Sequence, residues 1–219
     1  NAAADRAARA DLAHGTEEPN ETLARCEYVQ HLAPWHQEQC EAAGCSRAAW
    51  TTIPNFIDTQ RFSPGDGSAM RRELGIAGDA LVVMTAAAIK RTHKRIDALI
   101  EEFALLREAR PDLNAYLVIA GGEEKETQSV IEQGNRLLGD RVRFCVKYPR
   151  ERMADLYRLA DVFVLASLKE MMPIALLEAT ATGLPCVVNN HPVMRWMVGA
   201  GGACIDMTTR GTLCTAVEG

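Results

Sequence analysis

Glu170 and Glu178 stand eight residues apart in the segment SLKEMMPIALLEATATGLPCVV (167–188), with Pro173 between them. Proline suits the first turn of a helix, where its missing N–H is not needed. The backbone around Met172, Pro173 and Ile174 therefore sits at the positive end of a helix, where amides attract an anion. A carboxylate at Glu170 can accept hydrogen bonds from sugar hydroxyls beside that anion; its plainer role is to cap the helix. Glu178 falls inside the helix among Leu176, Leu177, Ala179 and Ala181. A glutamate in such surroundings is expensive without a partner, whereas on an exposed face it is merely solvated.

A second constellation is basic. IKRTHKRID (89–97) carries Lys90, Arg91, Lys94 and Arg95 around His93, between an apolar run and a helical pattern. Charge runs usually face water. Two such loops on one edge of one sheet, however, favour a phosphate-bearing ligand. No Asp-x-Asp pair occurs, and the spacings of His31, His36, Cys40 and Cys45 match no zinc template, so no metal site is expected.

The elements that must position these residues alternate regularly after residue 70. Apolar runs of strand length are Leu81–Ala87, Ala115–Ala120, Arg141–Val146, Asp161–Ala166, Cys186–Asn189 and Ala203–Asp206. Between them lie helical patterns, the clearest being Arg95–Arg110 with Ile96, Leu99, Ile100, Phe103 and Leu106 at helical spacing. Strand and helix in strict alternation predict a doubly wound α/β domain with a parallel sheet over 70–219. Its ligands bind beyond the carboxyl ends of the strands, where both constellations fall. Upstream, an Ala-rich helical stretch (2–13), two short strands (26–32 and 49–53) and a Pro34-led helix precede IPNFIDTQRFSPGDG, whose composition reads as a linker. The resulting division is 1–53, a linker at 54–69, and 70–219.

The 219 residues suffice for a core without cross-links, and 47% hydrophobic against 24% charged residues is a globular balance. The net charge of −5 argues against binding nucleic acid by general attraction. No apolar run reaches the length of a membrane span, which leaves docking through a local patch open. Seven irregularly spaced cysteines, several in apolar runs, read as reduced thiols and so as a cytoplasmic protein, peripheral at a membrane if it docks. The sequon Asn20-Glu21-Thr22 then carries little meaning. The chain opens at Asn1 rather than Met, which reads as a processed product.

Five ordered segments resemble the C-terminal half of family-4 retaining glycosyltransferases, which have the GT-B fold of two Rossmann-like domains. IPNFIDTQRFSP resembles the family's interdomain linker IPNG-ID-xx-x-F-x-P, and KRIDALIEEFALL resembles KG-x-D-x-LI-x-AF. LVIAGGEE resembles the strand closed by a glycine turn, and VRFCVKYPRERMADLYRLADVFVLAS resembles V-x-F-x-G…L-x-x-LY-x-x-AD-x-x-V-x-PS. EMMPIALLE, followed by EATATGLPCVV, resembles the E-x7-E motif with EA-x-A-x-G-x-PVV. The likeness covers about residues 50–206.

The resemblance implies transfer of a sugar from a nucleotide-diphosphate-sugar donor to an acceptor that is a glycan, lipid or small molecule. No separate cofactor is implied, since the nucleotide is part of the substrate. Glu170 would contact the donor sugar and Lys94 would stabilise the departing diphosphate. The backbone of Met172, Pro173 and Ile174 would hold the phosphates, and Glu178 the ribose. The base would lie on the loop 146–150, against Val146 and Tyr148. Residues 1–53 would be the end of an acceptor domain, so that this piece alone binds the donor and transfers nothing.

Three departures stand out. The family's diphosphate-binding arginine falls at Ala88 or Ile89, leaving Lys90 or Arg91 to replace it. The glycine of F-x-G is Val146, and that of the linker is Phe56. A dinucleotide-dependent oxidoreductase would need G-x-G-x-x-G after the first strand, and TAAAIKRTH has no glycine. A non-catalytic nucleotide-sugar-binding module and a GT-B isomerase or synthase remain as alternatives, and UDP, GDP and ADP are equally compatible.

Overall fold

The computed structural model describes residues 26–44 and 49–218. The Ala-rich stretch, the sequon and Cys45 lie outside them. The chain divides into two units, 1–56 and 57–219. In the first, β1 (Val29–His31) pairs in parallel with β2 (Trp50–Thr52), and α1 (Pro34–Ala42) connects them. Proline opens α1 and Gly44 follows it at φ +68°, the left-handed conformation that glycine adopts without cost. The Trp50 indole donates to the Cys26 carbonyl at 3.2 Å.

The second unit holds α2 (Ser68–Glu73), β3 (Leu81–Ala86), α3 (Ile96–Ala109), β4 (Ala115–Gly121) and α4 (Thr127–Leu138). These are followed by β5 (Val142–Val146), α5 (Met153–Arg158), β6 (Val162–Leu165) and α6 (Ile174–Ala181). β7 (Cys186–Asn189), α7 (Pro192–Val198), β8 (Gly202–Ile205) and α8 (Thr212–Glu218) complete it. Six parallel strands run in the order β5-β4-β3-β6-β7-β8. This is the doubly wound order, which reverses between β3 and β6.

Both faces of the sheet are covered, which is why the strands are mainly apolar rather than alternating with polar residues. Val82, Met84, Val118, Phe163 and Leu165 pack on one side with Tyr157, Leu176 and Ala179. Val83, Leu117, Ile119 and Val164 pack on the other with Ile100, Phe103 and Leu106 of α3. The two-residue period of a strand delivers successive side chains to the two cores. Cys145 and Cys186 are buried, and burial pushes their thiols up to about 11 and about 12, so they serve as small hydrophobes.

Residues 57–67, of linker composition, belong to the second unit. Phe62 is buried there, edge-on to Tyr157 at 5.9 Å between ring centres. Arg158 donates to the carbonyls of Arg61 and Ser63, each at 3.0 Å. Gly67 is required by close approach: a Cβ there would stand 2.2 Å from the Arg158 carbonyl oxygen.

Candidate functional site

The strand order places the loops after β3 and β6 side by side at the point where the sheet reverses. Lys94 comes from the first loop and Glu170 from the second, and their side chains form an ion pair, both largely shielded from water. The loops are also joined through the backbone, where the Leu168 amide donates to the His93 carbonyl at 2.9 Å. The His93 imidazole is held below its ordinary pKa, first by burial and then by the positive charges of Lys94 and Lys90. It is therefore a neutral ring amid cations at neutral pH.

Pro173 caps α6 with φ −70° and ψ 119°, extended backbone that turns directly into the helix. The Leu176 amide donates to the Pro173 carbonyl at 3.2 Å, and the amides of Ile174 and Ala175 ahead of it fall in the first turn, where a helix offers no acceptor of its own. Ile174 is exposed and Met172 buried, so the helix start opens to solvent above an apolar floor. Glu178 is buried one turn further on, and the Tyr157 hydroxyl of α5 donates to its Oε2 at 2.8 Å. Burial pushes the Glu178 carboxyl up, opposed by that hydrogen bond and by the nearby charges of Arg150 and Arg61.

In the loop after β3, Ile89 is fully buried, with its amide on the Gly122 carbonyl at 3.1 Å. Gly121 permits this crossing, since a Cβ there would meet the Ala87 carbonyl oxygen at 1.7 Å. Arg91 turns to α4: its guanidinium donates to Gln133 at 2.5 Å, its amide to Glu126 at 2.9 Å, and Asp97 lies 3.6 Å away. Lys90 pairs with Glu124 at 3.7 Å. Among the described residues, no group of three or more His, Cys, Asp or Glu is placed to hold a metal ion. No described helix is long and apolar enough to cross a membrane.

The family model for glycosyl transferases group 1 matches residues 67–215. The chain belongs to this family. Among relatives of established name, it is 32% identical over 160 residues to the mannosylfructose-phosphate synthase of Agrobacterium fabrum, covering 69% of this chain and 35% of that protein. It is 35% identical over 151 residues to the D-inositol 3-phosphate glycosyltransferase of Kribbella flavida, covering 66% and 35%. The chain thus spans about a third of the length of these relatives. Among solved structures, the sucrose-phosphate synthase of Thermosynechococcus elongatus superposes with a TM-score of 0.75 at 20% identity, over 90% of this chain and 49% of that one. Anabaena HepE in complex with UDP-glucose superposes with a TM-score of 0.76 at 20% identity, over 90% and 55%. The fold is accordingly the Rossmann-like half of a GT-B glycosyltransferase.

Within this group 1 glycosyltransferase domain, the structure brings Lys94 and Glu170 into contact and sets Glu178 on the helix that starts beside them. Arg91 is taken up by α4, so Lys90 is the less committed of the two cations considered for the missing arginine. Val146 ends β5, but the left-handed residue is the next one: Lys147 has φ +50°, and its amide donates to Gly121 at 2.8 Å. Tyr148 packs toward α2, its hydroxyl donating to the Met70 sulfur at 3.4 Å with the Arg152 guanidinium 5.5 Å from its ring centre. Sequence reasoning missed Tyr157 as the partner of Glu178. The signal was present in the L-x-x-LY segment, where a hydroxyl-bearing ring sits in an otherwise apolar pattern.

Proposed function

We propose that this chain is the donor-binding part of a retaining glycosyltransferase that uses a nucleoside-diphosphate sugar. The observation that supports it most is the Lys94–Glu170 pair at the sheet's reversal point, beside the open amino end of α6. Breaking the sugar–phosphate bond sends its electron pair to the diphosphate and builds positive charge on the sugar. Lys94 and the amides of α6 supply fixed positive potential where the negative charge grows. Glu170 accepts hydrogen bonds from the sugar and stands beside the carbon that becomes cationic. Glu178 accepts hydrogen bonds from the ribose with the carboxylate oxygen that Tyr157 does not occupy. Retention requires the acceptor hydroxyl to attack the face that the diphosphate leaves.

Charge neutralisation is assigned to Lys94 and the helix amides, so binding is expected to need no divalent ion. The reduced-thiol pattern supports a cytoplasmic location. HepE, whose structures hold UDP and UDP-glucose, supports a nucleotide-sugar ligand for this fold. The test is calorimetry of the 219-residue chain with UDP, GDP and ADP, their sugar esters and the bare nucleosides, with and without EDTA. Binding of one diphosphate in EDTA is the expected result. Rescue of lost binding by magnesium would overturn the metal-free reading, and no binding in either condition would overturn the donor site.

A further inference from the structure

Asn189 ends β7 at the same carboxyl edge, and its side chain is buried after three apolar residues, Cys186, Val187 and Val188. A buried amide is costly unless both its donor and its acceptor are satisfied. Here both are. Nδ2 donates to the Leu168 carbonyl at 3.3 Å, and Oδ1 accepts from the Met207 amide at 3.2 Å. The Leu168 amide donates in turn to the His93 carbonyl. One line of hydrogen bonds therefore runs across the ends of β3, β6, β7 and β8. It passes next to Lys94 at His93 and two residues before Glu170 at Leu168. An asparagine side chain carries a donor group and an acceptor group on one short arm, which is the combination these two backbone groups require.

We propose that Asn189 is a positioning residue for the loop that carries Glu170. By fixing Leu168, it keeps Glu170 in register with Lys94 and so sets the preference for a sugar ester over the bare diphosphate. The inference rests on the donor-site reading, and its test separates the two. Asn189→Asp keeps the acceptor for Met207 but replaces the donor to Leu168 with a carboxylate oxygen, which repels that carbonyl. Calorimetry of the 219-residue chain with UDP, GDP and ADP and their glucose esters measures the preference. Amide hydrogen exchange on the ligand-free chain measures the loop.

In Asn189→Asp, the affinity for the sugar ester relative to its diphosphate should fall about fivefold, the value of one ordinary hydrogen bond. Diphosphate affinity itself should hold or rise, because Lys94 and α6 still hold the phosphates and a displaced Glu170 competes less for Lys94. Exchange of the Leu168 amide should quicken at least about tenfold while the amides of Leu117–Ile119 keep their rates. A merely structural role would lower both affinities together and quicken exchange throughout. That outcome, or an unchanged Leu168 rate, overturns the proposal. If the parent binds none of the six ligands, the donor reading fails, and the exchange experiment still decides whether Asn189 holds the loop. Should Asn189→Asp not fold, Asn189→Ser serves: its hydroxyl cannot reach both partners, and the same loss of preference and the same local exchange are expected.

Discussion

Lys94 and Glu170 neutralise each other across the reversal point of the sheet, and under the proposed donor reading a diphosphate would have to take Lys94 from that pair. Lys94→Ala should then weaken diphosphate binding by about tenfold or more, the worth of a charged hydrogen bond, and leave the nucleoside unaffected. Glu170→Gln should act oppositely on the bare diphosphate, tightening it several-fold because Lys94 no longer has a competing anion. Calorimetry on the two variants checks both directions, and equal losses in both would deny the competition. Glu178 makes a pH prediction. Its carboxyl is raised by burial, so the folded chain holds that proton above the pH at which the unfolded chain releases it. Stability from this group is full below the ordinary carboxylate pKa and is lost as pH rises through the raised value. Glu178→Gln, always neutral, should therefore melt higher than the parent at pH 7 and lose that advantage near pH 4. The same variant should bind nucleotide less well, as expected where a site holds an expensive charge for function. Thermal melts at the two pH values decide it; a constant difference between parent and variant would show that Glu178 titrates like a solvated carboxylate.

At the scale of elements, α3 begins at a strained residue. Arg95 precedes it with φ +53° and ψ 40°, left-handed backbone that costs a side-chain-bearing residue about 1–2 kcal/mol. The resembling motif KG-x-D places glycine at this position. Arg95→Gly should stabilise the chain by about 0.5–1 kcal/mol after the added freedom of the unfolded glycine is counted, read as a raised urea midpoint at constant slope. An unchanged or lowered midpoint would mean that the arginine side chain repays the strain. Elements of this kind were legible to different degrees. Every strand of the six-stranded sheet was visible as a mainly apolar run, because two covered faces leave few polar residues to blur it. The helix α2 was hidden, since SAMRRE carries one core residue, Met70, and no period can be read from one. In the loop after β3 no alternation exists, so nothing in the sequence says that Arg91 turns to Gln133 while Lys94 turns to Glu170. Val146 stands where the resembling pattern has glycine, and nothing in the sequence says that the left-handed residue after β5 is Lys147, whose amide donates to the Gly121 carbonyl. Asn189 gave no signal either: its two partners are backbone groups of remote loops.

For the molecule as a whole, the question is where the folding unit of the sheet begins. All residues of both cores lie after residue 56, and the first of them is Phe62, outside any helix or strand. Its ring is buried against Tyr157, the residue that also holds Glu178, so the segment 57–67 supports the surroundings of Glu178 as well as closing the core. Arg158 adds hydrogen bonds to the carbonyls of Arg61 and Ser63. A chain starting at 57 should fold cooperatively. One starting at 68 loses the Phe62 ring, worth about 3–5 kcal/mol by analogy with phenylalanine truncation in cores. It also leaves the Arg158 guanidinium without two of its acceptors. Against a total stability of about 5–15 kcal/mol, that loss makes the shorter chain marginal. Urea unfolding of 57–219 and 68–219, followed by circular dichroism, measures the difference. Phe62→Ala within 57–219 should reproduce most of it, because the ring rather than chain length carries the effect. Equal midpoints for the two truncated chains would show that 57–67 is a tether, and that the sheet and its helices hold Tyr157 and Glu178 in place unaided.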